Sequence, residues 1–302
     1  MTSPMNRKPV IDRRVLATCW TWSGDVGPGW RDERSPIPMA ERLQAVADAG
    51  WDGIGIVDAD LLEAKRTYGL PVLRRMVEDA GIKVVELEFL TDWWTDGQRR
   101  VHADRQRRLV FEAAEALGAT TIKAGGDTDA MAVPWDRFAA EFDALATDAA
   151  AHGTRIALEP MPMNTVRTTN RGVELVRDVG NPAGGLCIDS WHVQRGGTAY
   201  RDLPGLLDME SVFVVELDDA LRHVVGATLT EDANDYRLYP GRGELDLPEF
   251  VAALATAGWR GHWGVEIISS AHRASPLAPA VAEVHAATLE VLEAADQLLQ
   301  QP

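Results

Sequence analysis

The chain has 302 residues, 46% hydrophobic and 25% charged, with 46 acidic side chains against 30 basic ones and a formal charge of −16 at neutral pH. That length and apolar content suit one large globular domain, while the acidic balance excludes nucleic acid and anionic membrane surfaces as natural partners. No apolar run is long enough to cross a bilayer, MTSPMNRKPVIDRR lacks the apolar segment of a secretory signal, and two cysteines, Cys19 and Cys187, cannot form a disulfide framework, which together predict a cytoplasmic protein.

After a loose N-terminal arm over residues 1–12, short apolar runs alternate with amphipathic stretches. The strand candidates are VLATCW from Val15, GIGIV from Gly53, IKVVELEFL from Ile82, TTIKAG from Thr120, RIALEP from Arg155, GLCIDS from Gly185, VFVVELD from Val212 and WGVEIIS from Trp263. Most are apolar on both faces, the pattern of parallel strands covered by helices. Between them MAERLQAVADAG, VLRRMVEDAG, RQRRLVFEAAEALG, WDRFAAEFDALATDAAAHG and LPEFVAALATAG carry apolar residues at i, i+3, i+4 and end on a glycine suited to a left-handed stop. Eight such units, with no GxGxxG after the first strand, predict a single (β/α)8 TIM barrel over residues 13–302 rather than an open doubly wound sheet. Joins from helix to strand are short, as in Ala80-Gly81 before Ile82, whereas joins from strand to helix such as CWTWSGDVGPGW, LTDWWTDGQ, GGDTDAMAVP and SWHVQRGGTAY are long. In a parallel barrel the long joins gather at the C-terminal mouth, where such folds do chemistry.

Acids end the last four strands: Glu159, Asp189, Glu216 and Glu266. One carboxylate at a strand end is most simply a helix cap or an arginine partner. Four on consecutive strands would repel one another unless a shared cation met them, and a hard divalent ion with oxygen ligands answers that. His192, three residues after Asp189, stands beside the cluster in a supporting or substrate-facing place. Cys187 shares a strand face with Asp189 and reads as a small buried side chain below the site. Trp22, Asp58, Glu88, Lys123, Trp191 and Arg242 lie at or just past strand ends and are expected to face substrate; Trp93 joins them, with an oligomer contact of Trp93 and Trp94 as its alternative.

The succession LEP, IDSWH, VVELDDA, PGRGELDLPEF and GVEIIS resembles the sugar phosphate isomerase/epimerase family, xylose isomerase-like barrels that include inosose dehydratases, 3-dehydroshikimate dehydratases and ketose 3-epimerases. The resemblance follows strand order along the whole chain and is sharp from Glu159 to Ser269. It implies that Glu159, Asp189 and Glu266 are metal ligands and that Glu159 and Glu266 exchange a proton with the carbon next to a carbonyl. Many members place a histidine, and some dehydratases a glutamine, where this chain has Glu216. A shell of four carboxylates suits Mn²⁺ or Mg²⁺ better than Zn²⁺. It also leaves the site negative unless Lys123, Arg222 or Arg242 compensates, so a neutral keto-sugar or keto-polyol is a more natural substrate than a phosphate ester.

The expected activity is therefore a metal-dependent sugar isomerase or epimerase acting through an enediolate, with a dehydratase using the same residues as the alternative. A non-catalytic sugar-binding barrel and an endonuclease IV-like repair enzyme are further alternatives. The second needs several strand-borne histidines, and only His192 has a matching place. The expected partner is a small sugar or polyol, with a homo-oligomer possible.

Overall fold

The computed structural model describes residues 11–126 and 133–301. Residues 1–10 of the expected arm, and the middle of GGDTDAMAVP, lie outside the described residues. Ile11 is buried, and its N–H donates to the Asp296 carboxylate (3.2 Å).

Eight parallel strands close into a barrel in chain order: β1 (Val15–Ala17), β2 (Gly53–Val57), β3 (Val84–Leu90), β4 (Thr121–Ala124), β5 (Arg155–Leu158), β6 (Gly184–Asp189), β7 (Val212–Leu217) and β8 (Trp263–Val265). The closing pair is β1 with β8, Leu16 opposite Gly264. Helices α1 (Met39–Ala49), α2 (Asp58–Thr67), α3 (Leu70–Asp79), α4 (Gly97–Leu117), α5 (Trp135–Ala151), α6 (Thr169–Val179), α7 (Ser190–Arg195), α8 (Leu203–Leu206), α9 (Leu229–Asp235), α10 (Leu247–Ala257), α11 (Ser270–Arg273) and α12 (Leu277–Gln300) cover it. The glycines expected to stop helices, Gly50, Gly81, Gly118, Gly153 and Gly258, all carry positive φ. No helix among the described residues is long and apolar enough to cross a membrane.

Two strands are shorter than their apolar runs. The Thr18 and Thr21 hydroxyls both donate to the Val265 carbonyl (2.9 and 2.7 Å), and the Ile267 N–H donates to Thr21 Oγ1 (2.9 Å). Beyond the backbone bond from the Thr18 N–H to the Val265 carbonyl (3.1 Å), side-chain hydrogen bonds take over from the ladder, and the chain turns into a 3₁₀ turn over Cys19–Thr21. That turn decides which tryptophan sees the mouth.

Register sets the acids at two heights. Asp189 lies opposite Glu216, Glu216 lies opposite Gly264, and Glu266 therefore sits two residues further up. Room for these side chains comes from missing ones. A Cβ on Gly264 would meet Glu216 Cγ at 3.1 Å, and one on Gly55 would meet Glu88 Oε1 at 2.1 Å.

Glu86 lies one strand period below Glu88, buried, with Oε2 unpartnered. Burial, only partly relieved by Lys123, pushes its carboxyl up from 4.5 to about 7. The folded state keeps a proton that the unfolded chain releases, so this group costs stability progressively as pH rises from about 4.5 to about 7. Glu86→Gln removes that dependence. Its advantage over wild type is expected to grow by about 2–3 kcal/mol between about pH 5 and about pH 8 in urea unfolding; an advantage independent of pH would mean that Glu86 is ionised throughout.

Candidate active site

A cavity of about 470 Å³ opens at the C-terminal mouth, with Glu88, Glu159, His192, Arg237 and Glu266 among its lining residues. Glu159 follows β5, Asp189 ends β6, Glu216 lies within β7 and Glu266 follows β8. Each contributes one oxygen to a group whose atoms all lie within 4.8 Å of one another, and all four residues are buried. Parallel strands carried to the same mouth bring these acids together from positions 107 residues apart in the chain (159 to 266).

Two cations stand among the carboxylates. Lys123, on β4, is fully buried, and its ammonium lies 2.5 Å from Glu216 Oε1, 2.8 Å from Glu88 Oε2 and 3.5 Å from Glu266 Oε1. Burial works against its charge, but Glu216, Glu88 and Glu266 outweigh that and hold its pKa well above the ordinary lysine value. Arg237, between α9 and α10, is likewise buried. Its Nη1 donates to Asp189 Oδ2 (3.2 Å) and pairs with Asp218, its Nε donates to the Ala233 carbonyl (3.1 Å), and its guanidinium lies 4.7 Å from the Trp191 ring. Burial would raise Asp189, but Arg237 and His192 hold it below the usual carboxylate value.

The cations do not balance the acids. Burial, with the nearby Glu159 charge adding to it against Lys123, pushes Glu266 up to about 7. Glu159 Oε1 is buried with no hydrogen-bond partner. An all-carboxylate donor set with an unpartnered oxygen fits a hard divalent ion, for which Glu159, Asp189, Glu216 and Glu266 are the candidate holders.

His192 stands over this group. Its N–H donates to Asp189 Oδ1 (2.7 Å), capping α7, while its ring Nε2 lies 3.3 Å from Glu159 Oε1 and 3.4 Å from Arg237 Nη2. Bonding to Glu159 needs a proton on Nε2, and accepting from Arg237 needs a lone pair there, so that nitrogen serves one of the two partners at a time. A second set, Glu159, Asp189 and His192, also has atoms close enough to share an ion.

Of the other residues expected at the mouth, Glu88 and Asp58 line the cavity; Asp58 Oδ2 accepts from Gln106 (3.0 Å). The rest are corrections. Lys123 does not face substrate but lies beneath the acids. Trp22 is carried outward by the 3₁₀ turn, donates to the Gly55 carbonyl (2.8 Å) and packs under Arg42, leaving Trp20 to line the cavity. Trp191 is fully buried under Arg237, because one helical step turns it away from the face that shows His192. Trp93 neither faces substrate nor offers an outer contact: it is buried against Trp94, Phe138 and Phe142. Arg222 and Arg242 are exposed, the first bonded to Glu244 and the second paired with Glu290 (2.8 Å). Asp219 explains their displacement. Its carboxylate accepts from the N–H groups of Gly243 (2.9 Å) and Leu245 (3.0 Å), tying down PGRGEL outside the cavity. Cys187 lies below the site as expected, its thiol donating to Glu216 Oε2 (3.1 Å).

Sequence reasoning missed Arg237, Asp218 and Asn164. Asp218 accepts from Ser190 Oγ (2.7 Å) and the Trp191 N–H (3.1 Å), fixing the turn after β6. Asn164 lines the cavity, and its buried Oδ1 has no partner. Arg237 and Asn164 lie away from any strand end; Asp218 directly follows β7, in the DD pair after VVEL, where Glu216 already stood for that strand.

Residues 43–294 match the model of the Xylose isomerase-like TIM barrel family. The chain belongs to that family. Among relatives of this xylose isomerase-like barrel, the 3-dehydroshikimate dehydratase of Pseudomonas putida is 30% identical over 248 residues, covering 79% of this chain and 37% of that protein. The inosose isomerase of Bacillus subtilis is 31% identical over 125 residues, 41% of this chain and 43% of that protein. The chain thus spans little more than a third of the length of the Pseudomonas relative. Among solved structures, a xylose isomerase-like TIM barrel/4-hydroxyphenylpyruvate dioxygenase fusion protein superposes with a TM-score of 0.76 at 25% identity, covering 93% of this chain and 43% of that one. An IOLI protein with a bound zinc atom superposes with a TM-score of 0.79 at 21% identity, covering 93% and 98%, a likeness of fold.

Arg237 is the joint of this barrel's mouth. Arg237→Ala leaves Asp189 and Asp218 buried without their cation and is expected to cost about 3–5 kcal/mol of stability. Unfolding in chelator checks it, with Arg237→Ala/Asp218→Asn recovering part of the loss; a variant as stable as wild type would mean that the two acids do not depend on Arg237.

Proposed function

We propose that this protein is a divalent-metal-dependent enzyme that removes the proton next to the carbonyl of a small keto-polyol, and that its leading outcome is dehydration. The observation that carries the reading is the placement of His192 Nε2 3.3 Å from Glu159 Oε1, with both residues lining the cavity. This is an acid–base pair on one side of the substrate space. Glu266 faces the same space but has Lys123 at 3.5 Å and Arg237 at 4.0 Å, which ties its charge down.

Glu159, whose carboxylate lines the cavity beside the His192 ring, takes the proton from the carbon beside the carbonyl. The bonding electrons move into the carbonyl system and return to expel the hydroxyl on the next carbon. His192 gives that hydroxyl its proton, so one water leaves and a C=C conjugated with the carbonyl remains. A divalent ion held by the four acids supplies Lewis acidity toward the carbonyl, and the oxygen-only donor set favours Mn²⁺ or Mg²⁺. The family supports both reaction types: the relative named as a dehydratase matches 79% of this chain and that named as an isomerase 41%.

The second reading is isomerisation or epimerisation, supported by Glu266, whose carboxyl lines the cavity and is pushed to about 7 by burial. In it Glu159 and Glu266 serve opposite faces of one carbon. Two measurements separate the readings. Cyclic keto-polyols such as inosose are offered with Mn²⁺ and followed in the ultraviolet, where the conjugated product of dehydration absorbs and an epimer does not; with 3-dehydroshikimate, already conjugated, the readout is a new absorbance band from the further C=C. Growth of absorbance, lost by about 10²-fold or more in His192→Asn, fits dehydration; epimer formation with deuterium from D₂O, abolished in metal-loaded Glu266→Gln, transfers the assignment to the second reading.

The metal has its own check. Elemental analysis is expected to find about one divalent ion per chain, lost in Glu159→Gln/Asp189→Asn. Wild-type stoichiometry in that variant would place the ion elsewhere.

A further inference from the structure

The ammonium of Lys123 has no opening to substrate, yet it touches two of the four acids assigned above to the metal. Its surroundings are built: Glu88 is fixed by the Cys19 N–H (3.1 Å) and thiol (3.3 Å), and Glu216 Oε2 accepts from the Cys187 thiol (3.1 Å). Lys123 therefore sits among Glu88, Glu216 and Glu266, closed off from the cavity, while Glu159, with which it does not pair, lines the cavity.

We propose that Lys123 is a resident cation of the metal centre: it holds Glu216 and Glu266 in place when no ion is bound, and it weakens the binding of the ion by sharing their charge. The inference rests on the divalent-metal reading of the four acids. Its physical basis is that fixed charges a few ångströms apart in a site closed to water interact strongly. Without Lys123, like-charged carboxylates face one another until an ion arrives; with it, part of their charge is already spoken for. The protein then folds with its site formed before metal enters, and the ion binds reversibly to a less negative shell. Lys123 is a positioning residue in this scheme, not a group that meets substrate.

The effect has a direction that a merely structural lysine would not produce. Removing a structural support loosens the acids and weakens metal binding. Removing a competing cation strengthens it. Mn²⁺ titration calorimetry on chelator-stripped protein reads the difference. Lys123→Met is expected to bind Mn²⁺ at least about tenfold more tightly than wild type, and Glu216→Gln, which leaves the lysine without that partner, at least about tenfold more weakly. The double variant Lys123→Met/Glu216→Gln is neutral at the pair and is expected to return to within about threefold of wild type. In the metal-free state Lys123→Met should unfold at a lower temperature than wild type, and the double variant should recover part of the loss.

Equal or weaker Mn²⁺ binding by Lys123→Met overturns the role given to Lys123 while leaving the metal reading intact. If Lys123→Met does not fold, the same comparison is made within the Glu216→Gln background, where loss of the lysine must still tighten binding about tenfold. Absence of Mn²⁺ binding in wild type and in every variant overturns the metal reading and this inference together.

Discussion

Everything at the mouth follows from the burial of more carboxylates than cations. Glu88, Glu159, Asp189, Glu216, Asp218 and Glu266 are all buried, and Lys123 and Arg237 are the cations drawn in among them. A buried charge is tolerated only with a partner, so each acid is either anchored, raised in pKa or left waiting for a ligand. Asp189 is anchored by Arg237, Glu266 is raised by burial, and Glu159 keeps an unpartnered oxygen. The unsatisfied remainder is what makes the site a site.

Barrel closure gathers that imbalance at one mouth. Parallel strands carry each strand-end residue to one mouth, and the register puts Asp189 and Glu216 at one height with Glu266 above them. Small residues give the acids space: Gly55 behind Glu88 and Gly264 beside Glu216. The loops then divide the work. Helix α7 begins at Ser190 and aims His192 at Glu159, whereas Asp219 ties the PGRGEL loop outside. Glu159 thus stands beside an imidazole, whereas Glu266 stands beside two cations.

On the reading proposed above, one arrangement suits both dehydration and isomerisation. Both reactions begin with loss of the proton beside a carbonyl, and both need a cation near the oxygen and a carboxylate near the carbon. They part at the next step, when a proton reaches either a departing hydroxyl or a ring carbon. On that reading the step depends on where the second acid stands: His192 lies in α7 after β6, and Glu266 directly follows β8.

The sequence alone determined the (β/α)8 barrel and the four convergent acids. Eight apolar runs with short returns and long forward joins admit few topologies, and an acid ending an apolar strand has a position fixed by the strand itself. Glu159, Asp189, Glu216 and Glu266 are legible for that reason. Only the tertiary structure decided which cations meet them. Arg222 and Arg242 follow strand seven in the chain but are held outside by Asp219, whereas Arg237, between them with no local signal, reaches the centre. Lys123 turned out to lie below the acids instead of facing substrate, because β4 places it at their inner height. Trp20 lines the cavity in place of Trp22 because of one 3₁₀ turn stitched by two threonine hydroxyls. A strand end can be counted along a chain; a loop's return path depends on hydrogen bonds to residues far away in sequence, which no local pattern records.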